Sequence, residues 1–176
     1  PYQKPHPPIW VVGQSPESID AAVKRGFNVL TGGAAFPIGR IGERRQQFDD
    51  AILRYRPSTK LSFGIQQKIY VTEKEEEALR MAEYGLWNMR VSLSLRLGRE
   101  QVKQGRVTAV PIENEPSLEE LVNSHFLFGT PEQVTSRLRS MQQHLKLDHL
   151  NCDFWLGDME QDKVIRSMEL FARDVM

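Results

Sequence analysis

Gly13, Gln14, Ser15 and Ser18 are the residues whose types and spacing could do chemistry. They follow the apolar run Ile9-Trp-Val-Val12 and lead into Glu17-Ser-Ile-Asp-Ala-Ala-Val-Lys-Arg25, so a strand passes into a helix at this point. Ser15 is placed to cap the helix, Pro16 to take its first position, and Ser18 falls three residues after the cap. Backbone amides and hydroxyls at the positive end of a helix dipole bind anions, so this turn is a candidate cradle for a cofactor phosphate. The same residues serve equally well as a helix cap with no ligand at all.

The elements that must position this turn alternate. Ile9 to Val12 reads as a strand buried on both faces. Glu17 to Arg25 is a helix ended by Gly26, and Phe27 to Thr31 is the next strand, closed by Gly32 and Gly33. Strand, helix, strand over this length is a parallel βαβ unit. Ala34 to Gly39 is expected as a loop. Arg40 to Tyr55 follows as a helix with Ile41, Phe48, Ile52 and Tyr55 inward and its arginines in water. A third strand lies within Leu61 to Thr72, and Thr72 starts a helix running to Trp87. Residues 88–125 break the rhythm, and an inserted loop or lid is expected there, with helical pieces near Leu95–Gln104 and Ser117–Ser124. Regularity returns at Thr130, where Pro131 and Gln133 complete a capping box for a helix to His144. Leu150 to Leu156 is a fourth strand, and Asp158 to Met176 a closing helix with Val164, Met168, Phe171 and Val175 inward.

Composition narrows the function. Lysine plus arginine equal aspartate plus glutamate at 23 each over 176 residues, which leaves no electrostatic footprint for nucleic acid or an anionic membrane. Cys152 is the single cysteine, so an internal disulfide and a cysteine metal cluster are excluded, and a reducing, cytoplasmic setting fits. Nothing flanking it would lower its pKa, and it reads as a small buried apolar residue. His125, His144 and His149 lack metal-ligand spacing, and His6 reads as a loop residue. Trp10, Trp87 and Trp155 are expected in the core. No apolar run approaches the roughly 20 residues that span a bilayer, and no signal peptide is read. Four βα units fit either half of an eight-stranded barrel or a small doubly wound sheet.

Three segments then carry a resemblance: Gln3-Lys-Pro-His-Pro-Pro-Ile-Trp-Val-Val-Gly-Gln-Ser-Pro-Glu17, Phe128-Gly-Thr-Pro-Glu-Gln-Val134, and Arg166-Ser-Met-Glu-Leu-Phe-Ala-Arg-Asp-Val-Met176. In this order and spacing they resemble the luciferase-like flavin monooxygenases. The resemblance covers essentially the whole chain, 1–176, but only the C-terminal half of that family's (β/α)8 TIM barrel, so the N-terminal strands are expected to lie outside this chain.

The resemblance implies an FMN-dependent oxidoreductase. Reduced FMN from a separate flavin reductase reacts with O2, and a flavin peroxide inserts one oxygen atom into a small organic substrate. It places Gly13, Gln14, Ser15 and Ser18 at the flavin phosphate, and Gly32 and Gly33 beside the flavin ring. No catalytic residue is assigned, because the contacts to substrate and oxygen come largely from the other half. The expected companion is that N-terminal half or a second copy of the chain, as a dimer. Relatives that use a deazaflavin for hydride transfer share the fold, and a flavin-binding or dimerisation module without catalysis is the third alternative.

Overall fold

The computed structural model describes residues 2–33 and 37–176. Its elements are β1 (Trp10–Val12), α1 (Pro16–Lys24), β2 (Asn28–Gly32), α2 (Ile41–Tyr55), β3 (Phe63–Val71), α3 (Glu75–Leu97), β4 (Gln101–Lys103), β5 (Arg106–Thr108) and α4 (Leu118–Glu120). A π turn at Leu121–His125 leads to β6 (Leu127–Gly129), α5 (Pro131–Leu145), β7 (His149–Asp153) and α6 (Gln161–Leu170). Residues 34–36 of the expected loop fall outside the described residues.

Strands β1, β2, β3 and β7 lie side by side, all parallel, in chain order. Short β6 runs beside the upper end of β3, with Leu127, Phe128 and Gly129 opposite Ile69, Tyr70 and Val71. A doubly wound sheet requires the strand order to reverse at a switch point, and here it never does. The winding is that of a barrel segment, and the doubly wound alternative falls away. Val29, Phe63, Ile65, Ile69 and Val71 on one face pack against Ile19 and Val23 of α1, Phe48 of α2, Val134 of α5 and Leu170 of α6. Residues alternate in direction along a strand, so the opposite face carries Trp10, Val12, Leu30, Gly64, Gln66, His149 and Asn151.

That opposite face is open over its lower part: Trp10 is 38% and Val12 60% exposed. β1 is therefore an edge strand, not one covered on both sides as its apolar run suggested. Trp87 and Trp155 are also exposed, at 40% and 53%, and none of the three tryptophans is a core residue. Higher up, the face is covered. Tyr70, Phe126, Phe128, Leu156 and Met159 form a second apolar cluster with Ala78, Met81 and Met89 of α3 and Leu121 of the π turn.

The inserted segment departs most from expectation. α3 continues to Leu97, ten residues past Trp87, and stops only where Gly98 turns left-handed at φ 61°. Gly85 does not break it, because its missing side chain makes room for the Phe126 ring. In place of a helix over 95–104, the chain folds Gln101–Thr108 into a hairpin across Gln104 and Gly105, both at positive φ. Arg90 on α3 donates to Glu115 and ties the far end of this excursion down. Met168 is 48% exposed, and Leu170 fills the inward position instead.

Thr72 does not cap α3 either; Lys74 holds that position without a side-chain bond. The Thr72 hydroxyl instead donates to Glu77 at 2.7 Å, and the Tyr70 hydroxyl to the other carboxylate oxygen at 3.1 Å. The Thr72 bond is the main reason the Glu77 carboxyl sits below its ordinary pKa, with burial opposing and Tyr70 assisting. A carboxyl depressed in the folded state stabilises above its unfolded pKa, and that contribution is lost as pH falls through the folded value. Thermal melts between about pH 7 and about pH 3 should show Glu77→Gln less stable than the parent at neutral pH, with the gap closing on acidification. Parallel curves would contradict the linkage. The open face makes its own prediction for the isolated 176-residue chain: self-association in light scattering and binding of a hydrophobic dye. A monodisperse monomer that ignores the dye is the contrary result.

Candidate functional site

Ser15 caps α1 from an extended conformation, and Ser18 answers it. The Ser18 amide donates to Ser15 Oγ at 3.2 Å, the Ser15 amide to Ser18 Oγ at 3.0 Å, and the Ser18 hydroxyl to the Ser15 carbonyl at 2.8 Å. Ser18 therefore has no hydroxyl hydrogen left for a ligand. Pro16 has no amide hydrogen, and the Ile19 amide closes the first helical bond on the Ser15 carbonyl at 3.1 Å. The Glu17 amide remains, and the Ser15 hydroxyl is held by a long bond in which it donates to Ser18 Oγ at 3.4 Å. The Glu17 carboxyl has its pKa held below the ordinary value by its own amide and then by Ser15, with Arg44 adding attraction.

The chain contains a second cap of the same design, and the comparison is informative. At α5, Thr130 and Gln133 form the same reciprocal box, with Pro131 at the first position. Glu132 is held down by its own amide and then Thr130, as Glu17 is by its amide and Ser15, but the nearby charge is Asp174, which acts in the opposite direction. Capping geometry alone does not distinguish the two helix ends; the neighbouring charge does. Arg44 is 8% exposed, contrary to the expectation that the arginines of α2 face water. Its guanidinium donates to Gln47 at 2.9 Å. Its spacing was visible in the sequence, since Ile41, Arg44, Phe48 and Ala51 share the buried stripe of α2.

The glycines divide by role. A side chain on Gly13 would stand 2.8 Å from Ile19, so this glycine lets α1 pack closely on β1, while its amide donates to the Leu30 carbonyl at 2.8 Å. Gln14 reaches across to β2, donating to the Gly32 carbonyl at 2.8 Å. Gly32 has φ 104°, and a side chain there would meet the Gln66 carbonyl at 2.5 Å. Gly33, at φ 110°, faces open space, with nothing within 4 Å of the added carbon. All six candidate residues therefore meet at the C-terminal ends of β1 and β2. Gly13, Gln14, Ser18 and Gly32 are engaged in holding the turn, and Ser15, the Glu17 amide and the open side of Gly33 are left for a ligand.

Other candidates lie elsewhere. His125 is buried in the π turn, with Nδ1 unbonded among the described residues, and burial lowers its pKa. Burial raises that of Cys152, which packs beside the main core. Among the described residues no three histidine, cysteine or acidic side chains gather as metal ligands.

Comparison with known proteins now bears on this arrangement. A family model described as luciferase-like monooxygenase matches residues 1–146, from the start of the chain through α5. The chain belongs to the luciferase-like monooxygenase family. It is 21% identical over 189 residues to the oxygenase component of the flavin-dependent trigonelline monooxygenase of Acinetobacter baylyi, covering 100% of this chain and 49% of that protein. Among solved structures, monooxygenase RslO1 from Streptomyces bottropensis superposes with a TM-score of 0.70 at 19% identity, over 99% of this chain and 49% of that one. The oxygenating constituent of 3,6-diketocamphane monooxygenase from Pseudomonas putida, solved with FMN, gives 0.68 at 19%, over 96% and 48%. The chain spans about half the length of the relatives it matches, and its parallel sheet is half of their barrel fold.

The two glycines of β2 can be told apart by mutation. Gly32→Ala meets both positive-φ strain and a backbone clash and should cost well above the roughly 1–3 kcal/mol of strain alone that Gly33→Ala incurs. Urea unfolding of the two variants checks the order, and a Gly33→Ala at least as damaging as Gly32→Ala would contradict it.

Proposed function

We propose that this chain is the cofactor-phosphate half of an FMN-dependent monooxygenase acting on a small organic substrate. The observation that carries the reading is the reciprocal Ser15–Ser18 cap with Pro16 at the first helical position, set at the C-terminal end of β1 beside the open side of Gly33, in a chain whose family match takes in both β1 and β2. These residues fit a phosphate. Ser15 and the Glu17 amide would donate to its oxygens, Arg44 would offset its charge, and the positive end of the α1 dipole would add to both. Gly13, Gln14 and Ser18 would hold the turn in shape, and Gly33 would leave room for the flavin ring above β2. FMN, when bound, would supply the activation of O2 and the oxygen transfer, with the reducing equivalents delivered by a separate reductase. The protein's share would be orientation and the exclusion of water. The upper apolar cluster of Tyr70, Phe126, Phe128 and α3, together with the 98–117 excursion, is suited to the second task. The companion half of the barrel would supply the other wall, and deazaflavin hydride transfer remains the second reading of the same cradle.

Fluorescence titration of the protein together with its companion half decides between them. FMN should bind, and Ser15→Ala should weaken it by at least about tenfold through one lost charge-assisted bond. Ser15→Asp keeps the cap but sets a negative charge against the phosphate, so folding should survive while FMN binding disappears. Thr130→Ala should loosen α5 without touching FMN. Unchanged affinity in both Ser15 variants would remove the cradle, and a preference for a deazaflavin over FMN would replace oxygenation by hydride transfer.

A further inference from the structure

One charged pair on the open face has no part in the cradle. Lys68 of β3 and Asp153 of β7 stand directly opposite each other, with Nζ 2.7 Å from Asp153 Oδ2. The lysine side chain is 8% exposed and the aspartate 28%. Their face is settled by the strands. Lys68 alternates with Gly64 and Gln66, and a side chain on Gly64 would meet Trp10, Leu30 and His149, all on the side away from the outer helices. Their height is settled by register. Gly32 is opposite Gln66, so Lys68 lies one inward-facing step above the level where β2 gives way to Gly33. β1 and β3 are separated by two strand spacings, about 10 Å, so the pair stands beside the proposed cofactor position and not beneath it. In barrel enzymes, inward residues at the C-terminal ends of strands are where substrates are met.

An ammonium has three hydrogens to donate. Among the described residues Lys68 has one acceptor, Asp153, so two nearly buried donors are unfilled. Directly below, Gln66 and Asn151 are opposite each other, and neither side-chain amide is bonded among the described residues. Around them the open face carries Trp10, Val12, Leu30, Gly64 and His149. A cation paired on one side with Asp153 and holding two further donors, above two unbonded amides, matches the two oxygens of a carboxylate. Tyr70 and Phe128, their rings 5.8 Å apart, are buried above it and close the upper end of the face.

We propose that Lys68, oriented by Asp153 and assisted by Gln66 and Asn151, binds the carboxylate of an organic acid substrate. The proposal rests on the monooxygenase reading for what then happens to the acid, but binding is measured without turnover. The experiment is calorimetric titration of the protein, assembled with its companion half and loaded with FMN, with matched pairs: benzoate and benzamide, hexanoate and hexanamide. Each acid that binds should be preferred over its amide by at least about tenfold, the loss expected for one or two charge-assisted bonds. Lys68→Met should abolish the preference and Lys68→Arg retain part of it. Asp153→Asn provides the decisive sign: with a competing negative charge removed and Lys68 intact, acids should bind several-fold more tightly. A pair that is merely structural predicts that Asp153→Asn weakens binding or leaves it unchanged, and that result overturns the proposal. So does equal binding of acid and amide, binding of neither, or a loss of FMN affinity in Lys68→Met, which would assign the lysine to the cofactor. Absence of FMN binding in the parent protein would instead strike the monooxygenase reading, and the acid–amide comparison repeated without FMN would still judge this one.

Discussion

Strand β3 is the constraint on which the other elements depend. Its lower residues carry the ladders to β2 and β7, and its last three pair with β6, so one strand of nine residues joins the two parts of the molecule. Alternation along it sends Phe63, Ile65, Ile69 and Val71 into the core beneath the helices, and Gly64, Gln66, Lys68 and Tyr70 to the opposite side. Every second residue is therefore committed to the main core, while on the other side Gln66 and Lys68 border the open part of the sheet and Tyr70 is buried in the upper cluster. Its three partner strands all run parallel to it, helices α1, α2, α5 and α6 pack on one side, and the ligand side remains open at its base.

The two capping boxes show how far a local motif reaches. Ser15-Pro-Glu-Ser18 and Thr130-Pro-Glu-Gln133 solve the same problem, orphan amides at a helix start, with the same bonds. What separates them is tertiary: Arg44 near one, Asp174 near the other. A motif supplies donors, and the fold decides which anion, if any, they meet. The proposed cradle stands on that difference in charge, and its hydroxyl on Ser15 more than on Ser18.

Much of this was legible beforehand. The βαβ start, the Thr130 box and the barrel-like count follow from periodicity and caps, and they are the parts with short-range causes. The misses have long-range causes. α3 continues past Trp87 to Leu97, where Met89 enters the second cluster and Arg90 is tied to Glu115, twenty-five residues on. Arg44 is buried because the stripe it shares with Ile41, Phe48 and Ala51 packs into the main core. Trp10 is exposed because the face it belongs to is unfilled, which no apolar run can announce. β6 is too short for periodicity to detect, and only its pairing with β3 reveals it. Lys68 read as one polar residue within a strand, and its place opposite Asp153 depends on a register set eighty-five residues away.

The central claim is that the helix end at Ser15, and not its near twin at Thr130, meets a flavin phosphate. Hydrogen exchange of the protein assembled with its companion half, with and without FMN, tests this most directly. The account predicts slowed exchange at the amide of Glu17, with Glu132 and Gln133 unchanged. Equal protection at both helix ends, or none at Glu17 in a sample that has bound FMN, would contradict it.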